Sequence, residues 1–359
     1  MEKQEIIPIF FATDDNYVPC LCVALKSITA NCNKNFNYKV HILNTGLATG
    51  LSAENMEIIK SFETDYLKIE FNDVSKIIAP IKELLNKSLR DYYSDTTFYR
   101  IFIPKMFPEY HKVLYLDCDI VVLGDIAELY HTDLKDNCLG AVTDEVVPTH
   151  PVLIRYVEEA VGIPNKEYFC AGIILFNLDA MRQQKVDEKF IGLLSKYSFT
   201  TVGQDQDYLN VICKGRVTYL HPGWDKQANN RKYKDKLYLI HYNMFSKPWR
   251  YKKVPYEKYF WKYAKKTPFY RQMLNSRKNY TQAQRDDDAA RGAGMIELSL
   301  SILNQDNTFK KVLANKTIDE AIAKTTSTKT TKSTTTKAKS STAKSTKSKT
   351  TKTTKTKKA

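Results

Sequence analysis

The 359 residues carry 55 Lys and Arg against 40 Asp and Glu, a formal +15, and 43% hydrophobic side chains, which excludes a wholly disordered chain and gives material for one large domain. The charge is unevenly placed: from Lys324 to Ala359 there are twelve Lys and no acidic residue, and removing those twelve charges leaves +3 for everything before them. The basic balance therefore belongs to a tail, and no specific nucleic-acid partner is expected of the fold.

That tail, a Thr, Ser, Ala and Lys background without aromatic or large aliphatic side chains, cannot bury enough surface to offset its ordering entropy and is expected to be disordered. The seven cysteines (20, 22, 32, 118, 138, 170 and 213) are odd in number, lie in apolar contexts and lack paired-ligand spacing, so they read as reduced thiols of a cytoplasmic protein. Glu2, Lys3 and Glu5 stand where a signal peptide needs an apolar core, and no apolar stretch approaches the roughly 20 residues of a membrane span. The expectation is a soluble catalytic body with room for a peripheral contact on the inner membrane face.

In chain order, Ile6 to Ala12 reads as a strand, Thr13-Asp14-Asp15-Asn16 as a polar loop, and Tyr17 to Thr29 as a helix, which Asp14 or Asn16 is suited to cap. Tyr38 to Leu43 and Leu67 to Phe71 read as strands around a helix capped by Ser52. Strands alternating with helices predict a largely parallel sheet with ligand loops at the carboxyl ends of its strands. Val113 to Leu116 and Ile120 to Leu123 are apolar runs flanking Asp117 and Asp119. Two carboxylates at i and i+2 of extended chain project to one side, and in apolar surroundings they call for a counter-charge, most economically a divalent cation.

Leu139 to Val142 reads as a strand ending at Asp144, Gly172 to Phe176 as another, then a helix over 179–197, a helix opened by Gln204-Asp205-Gln206-Asp207, and a strand at Val217 to Leu220. Asp144 has a plain alternative as a turn residue. Between Lys247 and Arg271 nine Lys or Arg interleave with nine aromatic residues, suiting either a helix lying in an anionic lipid interface or one packing on the domain with its lysines in water. Gln282 to Gly294 reads as a linker, and Ile296 to Ala323 as one or two marginal helices. The expected divisions are 1–250, 251–281, 282–323 and the tail 324–359.

The block Tyr115-Leu116-Asp117-Cys118-Asp119-Ile120-Val121-Val122, followed by Gly124-Asp125-Ile126, resembles the nucleotide-sugar metal motif of family 8 glycosyltransferases, the retaining group that includes lipopolysaccharide galactosyltransferases and glycogenin. Further blocks match in the same order, from residue 6 to about 250: Ala12-Thr13-Asp14-Asp15-Asn16-Tyr17, Phe98-Tyr99-Arg100-Ile101, Cys170-Ala171-Gly172 with Phe176-Asn177, Asp205-Gln206-Asp207, and His241-Tyr242 with Lys247-Pro248-Trp249. The resemblance implies an α/β fold of GT-A type, a single Rossmann-like nucleotide-sugar domain with a mixed, mainly parallel sheet.

It also implies roles. Ala12, Asp14, Asn16 and Tyr17 would hold uracil and ribose; Arg100 and Lys247 the diphosphate; Asp117, Cys118 and Asp119 the metal motif; Ala171 and Gly172 the sugar. Asp205 and Gln206 would face the reacting side of the donor, and Asp144 its hydroxyls or the acceptor's. Asp117, Asp119 and His241 would ligate the ion, a mixed oxygen and nitrogen set that suits Mn2+ or Mg2+ better than calcium. Arg100 has a plain alternative as a partner of Asp95, and His241 alone would read as structural. The implied activity is transfer of glucose or galactose from a UDP-sugar to a surface glycan or glycolipid. An amide cannot be a general base, so retention needs either a carboxylate nucleophile, Asp205 or Asp144, or a front-face route in which a diphosphate oxygen accepts the proton. Cys170, Met244, Asn243 and Ser246 depart from the family pattern, which has Asn at the first and Gly at the second. The alternatives are protein or self-glucosylation, with acceptors in the tyrosine-rich region or the Ser/Thr tail, and polyanion binding through the lysine tail.

Overall fold

The computed structural model describes residues 4–45, 50–88 and 95–323. The lysine tail lies outside the described residues, so its expected disorder is not addressed by the fold.

Among the described residues ten strands form two sheets. β1 (Ile6–Ala12), β2 (Asn37–Asn44), β3 (Leu67–Asp73), β4 (Lys112–Leu116), β6 (Leu139–Thr143), β7 (Phe169–Asn177) and β8 (Val217–Tyr219) make the central sheet in the order β3-β2-β1-β4-β7-β6-β8. Every pairing is parallel except those of β7, which runs antiparallel between β4 and β6. This is the mixed, mainly parallel sheet expected. β5 (Ile120–Val122), β9 (Lys226–Gln227) and β10 (Leu239–His241) form the small second sheet, with β10 in the middle.

The middle of the central sheet is covered on both faces, which is why β1, β4 and β7 are nearly all apolar, whereas the edge strand β3 alternates, with Lys68 and Glu70 exposed. Ile7, Ile9, Phe11, Leu114, Leu116, Ile173 and Leu175 face one core, shared with α1 (Val18–Asn31). Phe10, Val113, Tyr115, Ile174 and Phe176 face the other, shared with the segment 98–107, α3 (Val186–Tyr197) and α4 (Asp205–Ile212). α2 (Ala53–Lys60) is capped by Ser52 as expected, its hydroxyl accepting from Asn55 N.

Two local expectations are corrected. The helix read over 179–197 is two, because Lys185 takes a left-handed backbone (φ 53°) between Leu178–Gln183 and α3. The segment read as a linker is helical throughout. After α5 (Glu257–Ala264) and α6 (Tyr270–Asn279), α7 runs unbroken over Gln282–Leu303, followed by the short α8 (Phe309–Val312) and α9 (Ile318–Ile322). A capping box starts α7: Gln284 N donates to the Thr281 hydroxyl and Thr281 N to the Gln284 side-chain oxygen, which outweighs the two glycines further along.

In the aromatic, basic segment Phe260 and Tyr263 are buried and the other rings from Trp249 to Tyr270 are half-buried, whereas Lys252, Lys253, Lys258, Lys262, Lys265 and Lys266 are exposed. The rings are thus used for packing, and what faces solvent is lysine. Among the described residues no helix is long and apolar enough to cross a membrane.

Candidate active site

Strand direction decides where the polar loops gather. β1, β4 and β6 end at one edge of the sheet, and antiparallel β7 begins there, with Leu116 opposite Ile173 and Thr143 opposite Phe169. Thr13 and Asp14, Asp117 to Asp119, Asp144 and Cys170 to Gly172 therefore surround one cavity of about 540 Å³, closed further by Asp205, Gln206, His241 and Lys247. Of the residues given a binding, metal or catalytic role from sequence only Asn16, which is exposed, lies outside its lining. Asp14 lines the cavity and also caps the turn that follows, accepting from Asn16 N and Tyr17 N.

Asp117 and Asp119 sit in the turn between β4 and β5, pinned by backbone bonds from Asp117 N to Gly172 O (2.8 Å) and from Tyr242 N to Asp119 O (2.9 Å). Because β5 pairs antiparallel with β10, His241 stands opposite Ile120, and its Nε2 lies 3.3 Å from Asp119 Oδ1 and 3.8 Å from Asp117 Oδ2. Neighbouring donors in an octahedral shell of metal–oxygen bonds near 2.1 Å are about 3 Å apart, so the three groups need little movement to share one ion. A Cβ on Gly172 would sit 2.2 Å from His241 Cε1 and 3.0 Å from Asp117 Oδ2, so only glycine lets β7 pass under this trio.

Sequence reasoning missed Asp225. It is fully buried in the turn before β9, and its Oδ1 accepts a hydrogen bond from His241 Nδ1 at 2.9 Å, leaving Nε2 for the Asp117/Asp119 side. No local pattern marks it, since the contact joins residues brought together only by the β9–β10 pairing. Cys170 Sγ approaches the same Nδ1 edge at 3.8 Å. Burial works against a charged ring, but Asp225 and Asp119 more than reverse it, so the His241 pKa lies well above its ordinary value. Burial raises Asp117 despite Arg100 and His241 beside it, whereas for Asp119 Lys247 and His241 overcome burial and hold the carboxyl below the ordinary range.

Two cations complete the cluster. Lys247, 4% exposed, donates to Asp119 Oδ2 and to Tyr242 O. Arg100, equally buried, is aligned over the Tyr115 ring at 4.3 Å and reaches Asp117 Oδ1 (3.3 Å), Asp205 Oδ2 (3.0 Å) and Ala171 O, rather than acting at a helix surface. Burial lifts the Asp205 pKa to about 7 against the pull of Arg100. Five carboxylates (117, 119, 144, 205 and 225) thus meet Arg100, Lys247 and one imidazole, a set with room for a divalent ion.

At the far side, Gln206 is fixed at both ends of its amide: Oε1 accepts from Ala171 N at 2.9 Å and Nε2 donates to Asp144 Oδ2 at 3.3 Å. Asp144 Oδ1 accepts from Val146 N and Val147 N, and burial raises its pKa. Asp207, by contrast, points into the core, bonded to the hydroxyls of Tyr156 and Tyr168, and serves to anchor α4. Met244 occupies a left-handed backbone conformation (φ 56°), so the loop keeps a glycine-like path while bearing a side chain.

Comparison with known proteins agrees with this geometry. The family model for Glycosyl transferase family 8 matches residues 8–253. A putative glycosyltransferase of Haemophilus influenzae is 30% identical over 216 residues, covering 59% of this chain and 61% of that protein, so the chain spans less than two thirds of that relative's length. A lipopolysaccharide 1,2-glucosyltransferase of Escherichia coli is 25% identical over 265 residues, 69% of this chain and 74% of the relative. Among solved structures, galactosyltransferase LgtC in complex with donor and acceptor sugar analogs superposes with a TM-score of 0.59 at 25% identity, covering 73% of this chain and 96% of LgtC. The bifunctional glycosyltransferase WbbM in its apo form gives a TM-score of 0.64 at 25% identity over 78% of this chain and 53% of its own. With a family match over more than half its length, a mixed sheet of the same kind and the paired aspartates in place, the chain belongs to glycosyl transferase family 8.

Proposed function

We propose that this protein transfers a hexose, glucose or galactose, from a UDP-sugar to a hydroxyl of a surface glycan or glycolipid, with retention of anomeric configuration. The observation that carries the reading is the convergence of Asp117 and Asp119 with His241, from two well-separated parts of the chain, beside Lys247 and Arg100. The relatives' names support the acceptor class: one acts on lipopolysaccharide, and LgtC was solved with sugar analogs.

In this reading Asp117, Asp119 and His241 hold manganese or magnesium, which supplies Lewis acidity to the departing diphosphate when bound. Lys247 stands within reach of Asp119 and adds a positive charge on the diphosphate side, while Arg100 holds Asp205 and Asp117 in register. Gln206, oriented at both amide ends, presents no base to the sugar, and Asp205 is bound to Arg100 rather than free to attack. These constraints favour the front-face route, in which the incoming hydroxyl gives its proton to the leaving diphosphate oxygen. Asp144, held by Val146 N and Val147 N, orients a hydroxyl of donor or acceptor.

The test is a panel of nucleotide sugars followed by UDP release with and without manganese. Manganese-dependent release from UDP-glucose or UDP-galactose is the expected result; equal release with a chelator present, or turnover of only non-uridine donors, rejects the proposal. A glycosyl adduct trapped on Asp205 or Asp144 would reject the front-face route while leaving the activity standing.

A further inference from the structure

The family match ends at residue 253, yet one wall of the cavity comes from beyond it. Tyr280 and, on α7, Gln284, Asp287, Asp288, Arg291 and Met295 line the same space as Asp144, Gln206 and Lys247. α7 is fastened at both ends. Near its start Asp288, 7% exposed, accepts from the Tyr251 hydroxyl at 2.8 Å and the Tyr280 hydroxyl at 2.6 Å and faces Arg250 Nη1 at 3.4 Å. Near its end Ile302 is buried in the core that also holds Leu153, Tyr156 and Val157, the segment following Asp144. The helix thus crosses from the Lys247 side of the cavity to the Asp144 side.

The residues it turns to the cavity are chemically mixed. Asp287 and Arg291 form an ion pair at 2.8 Å one helical turn apart, and Met295 lies one turn further, where the cavity is also lined by Leu153 and Val157. A pyranoside is bound by groups that donate and accept in the plane of its hydroxyls together with an apolar plate against its ring, and this stretch offers both. The strand ends opposite supply the carboxylates, His241 and Lys247 assigned to the donor. What remains facing α7 is the side from which a second sugar approaches.

We propose that α7 is the acceptor wall of the active site and that Asp287 and Arg291 are specificity-determining residues, aligning acceptor hydroxyls while Asp288 keeps the helix in place and water out. The proposal rests on the hexosyltransfer reading above and names the part of the chain that selects its acceptor.

Three quantities test it on the full-length protein: calorimetric affinity for UDP with Mn2+, UDP release from UDP-glucose and UDP-galactose with water as the sole acceptor, and the ratio of transfer to hydrolysis with methyl β-galactopyranoside as the added acceptor. In the D287A/R291A double variant, whose changes remove side chains at the cavity lining and leave the buried Asp288 anchor in place, UDP affinity is expected to hold while the KM for the glycoside rises severalfold more than kcat falls. In Asp288→Ala, hydrolysis without acceptor is expected to rise severalfold at unchanged UDP affinity, with Tyr280→Phe giving a smaller rise in the same direction. A loss of UDP affinity in D287A/R291A would move α7 to the donor side and overturn the proposal, as would hydrolysis that stays flat or falls in both anchor variants, whether or not the glycoside is accepted. Failure of the wild-type protein to bind UDP with Mn2+ would instead reject hexosyltransfer itself.

Discussion

Asp225 determines which nitrogen of His241 faces the paired aspartates, because a carboxylate 2.9 Å from Nδ1 fixes both tautomer and ring angle. Asp225→Asn keeps the shape and loses the charge, and loss of such a partner weakens metal binding by about 10–100-fold. Manganese titration followed by electron paramagnetic resonance should show that loss with thermal stability nearly unchanged; unaltered affinity would make Asp225 a packing residue. Gly172→Ala should be harsher, since its methyl group would collide with the imidazole at 2.2 Å, and manganese binding should disappear even where the fold survives. His41, far from the cavity, is stacked on Phe10 and bonded to Asn72 and Tyr110, and burial lowers its pKa from the ordinary 6.5. The unfolded chain therefore takes up the proton first, so the stability contributed by the neutral ring is present above about pH 6.5 and lost as pH falls through that value toward the folded pKa. Urea denaturation at neutral pH and at about pH 5.5 should show a smaller loss in His41→Gln than in wild type; equal losses would contradict this account. Asp117, Asp119 and His241 could be singled out from sequence because their neighbours carry a recognisable pattern, whereas Asp225 could not, its role arising wholly from a contact sixteen positions away in the chain.

Elements that are long and buried on both faces announce themselves: β1 and β7 are near-continuous apolar runs, and their places in the sheet follow from that. β9 and β10 have two and three residues, β10 pairing with β5 and β9 with β10, so their approach to Asp117 and Asp119 was not legible. α7 was obscured by Gly292, Gly294 and an Asp run, although Thr281-Gln282-Ala283-Gln284 spells out its cap. Thr281→Ala should cost about 1 kcal/mol in chemical denaturation; no change would mean the helix start is held by Asp288 alone. α8 is pinned more firmly, for Phe309 is buried with its ring 4.1 Å from that of Phe199 and 4.9 Å from that of Tyr208. Phe309→Ala should cost about 3–5 kcal/mol, a loss that a marginal, detached helix would not show.

At the scale of the whole molecule, one half of the cavity is built from strand ends inside residues 8–253 and the opposite wall from helices after them, joined through the Asp288 contacts and the shared core. The net charge says nothing of this arrangement, since twelve of the excess positive charges belong to residues 324–359. Deleting that stretch should leave donor turnover in soluble assay nearly unchanged, and a large loss would place part of the tail within the functional fold. The measurement that bears most directly on the central claim is anomalous diffraction from a crystal grown with UDP and manganese. A manganese peak within coordination distance of Asp117, Asp119 and His241, touching the diphosphate, is the expected result; UDP bound with the metal elsewhere, or with no metal at all, would contradict it.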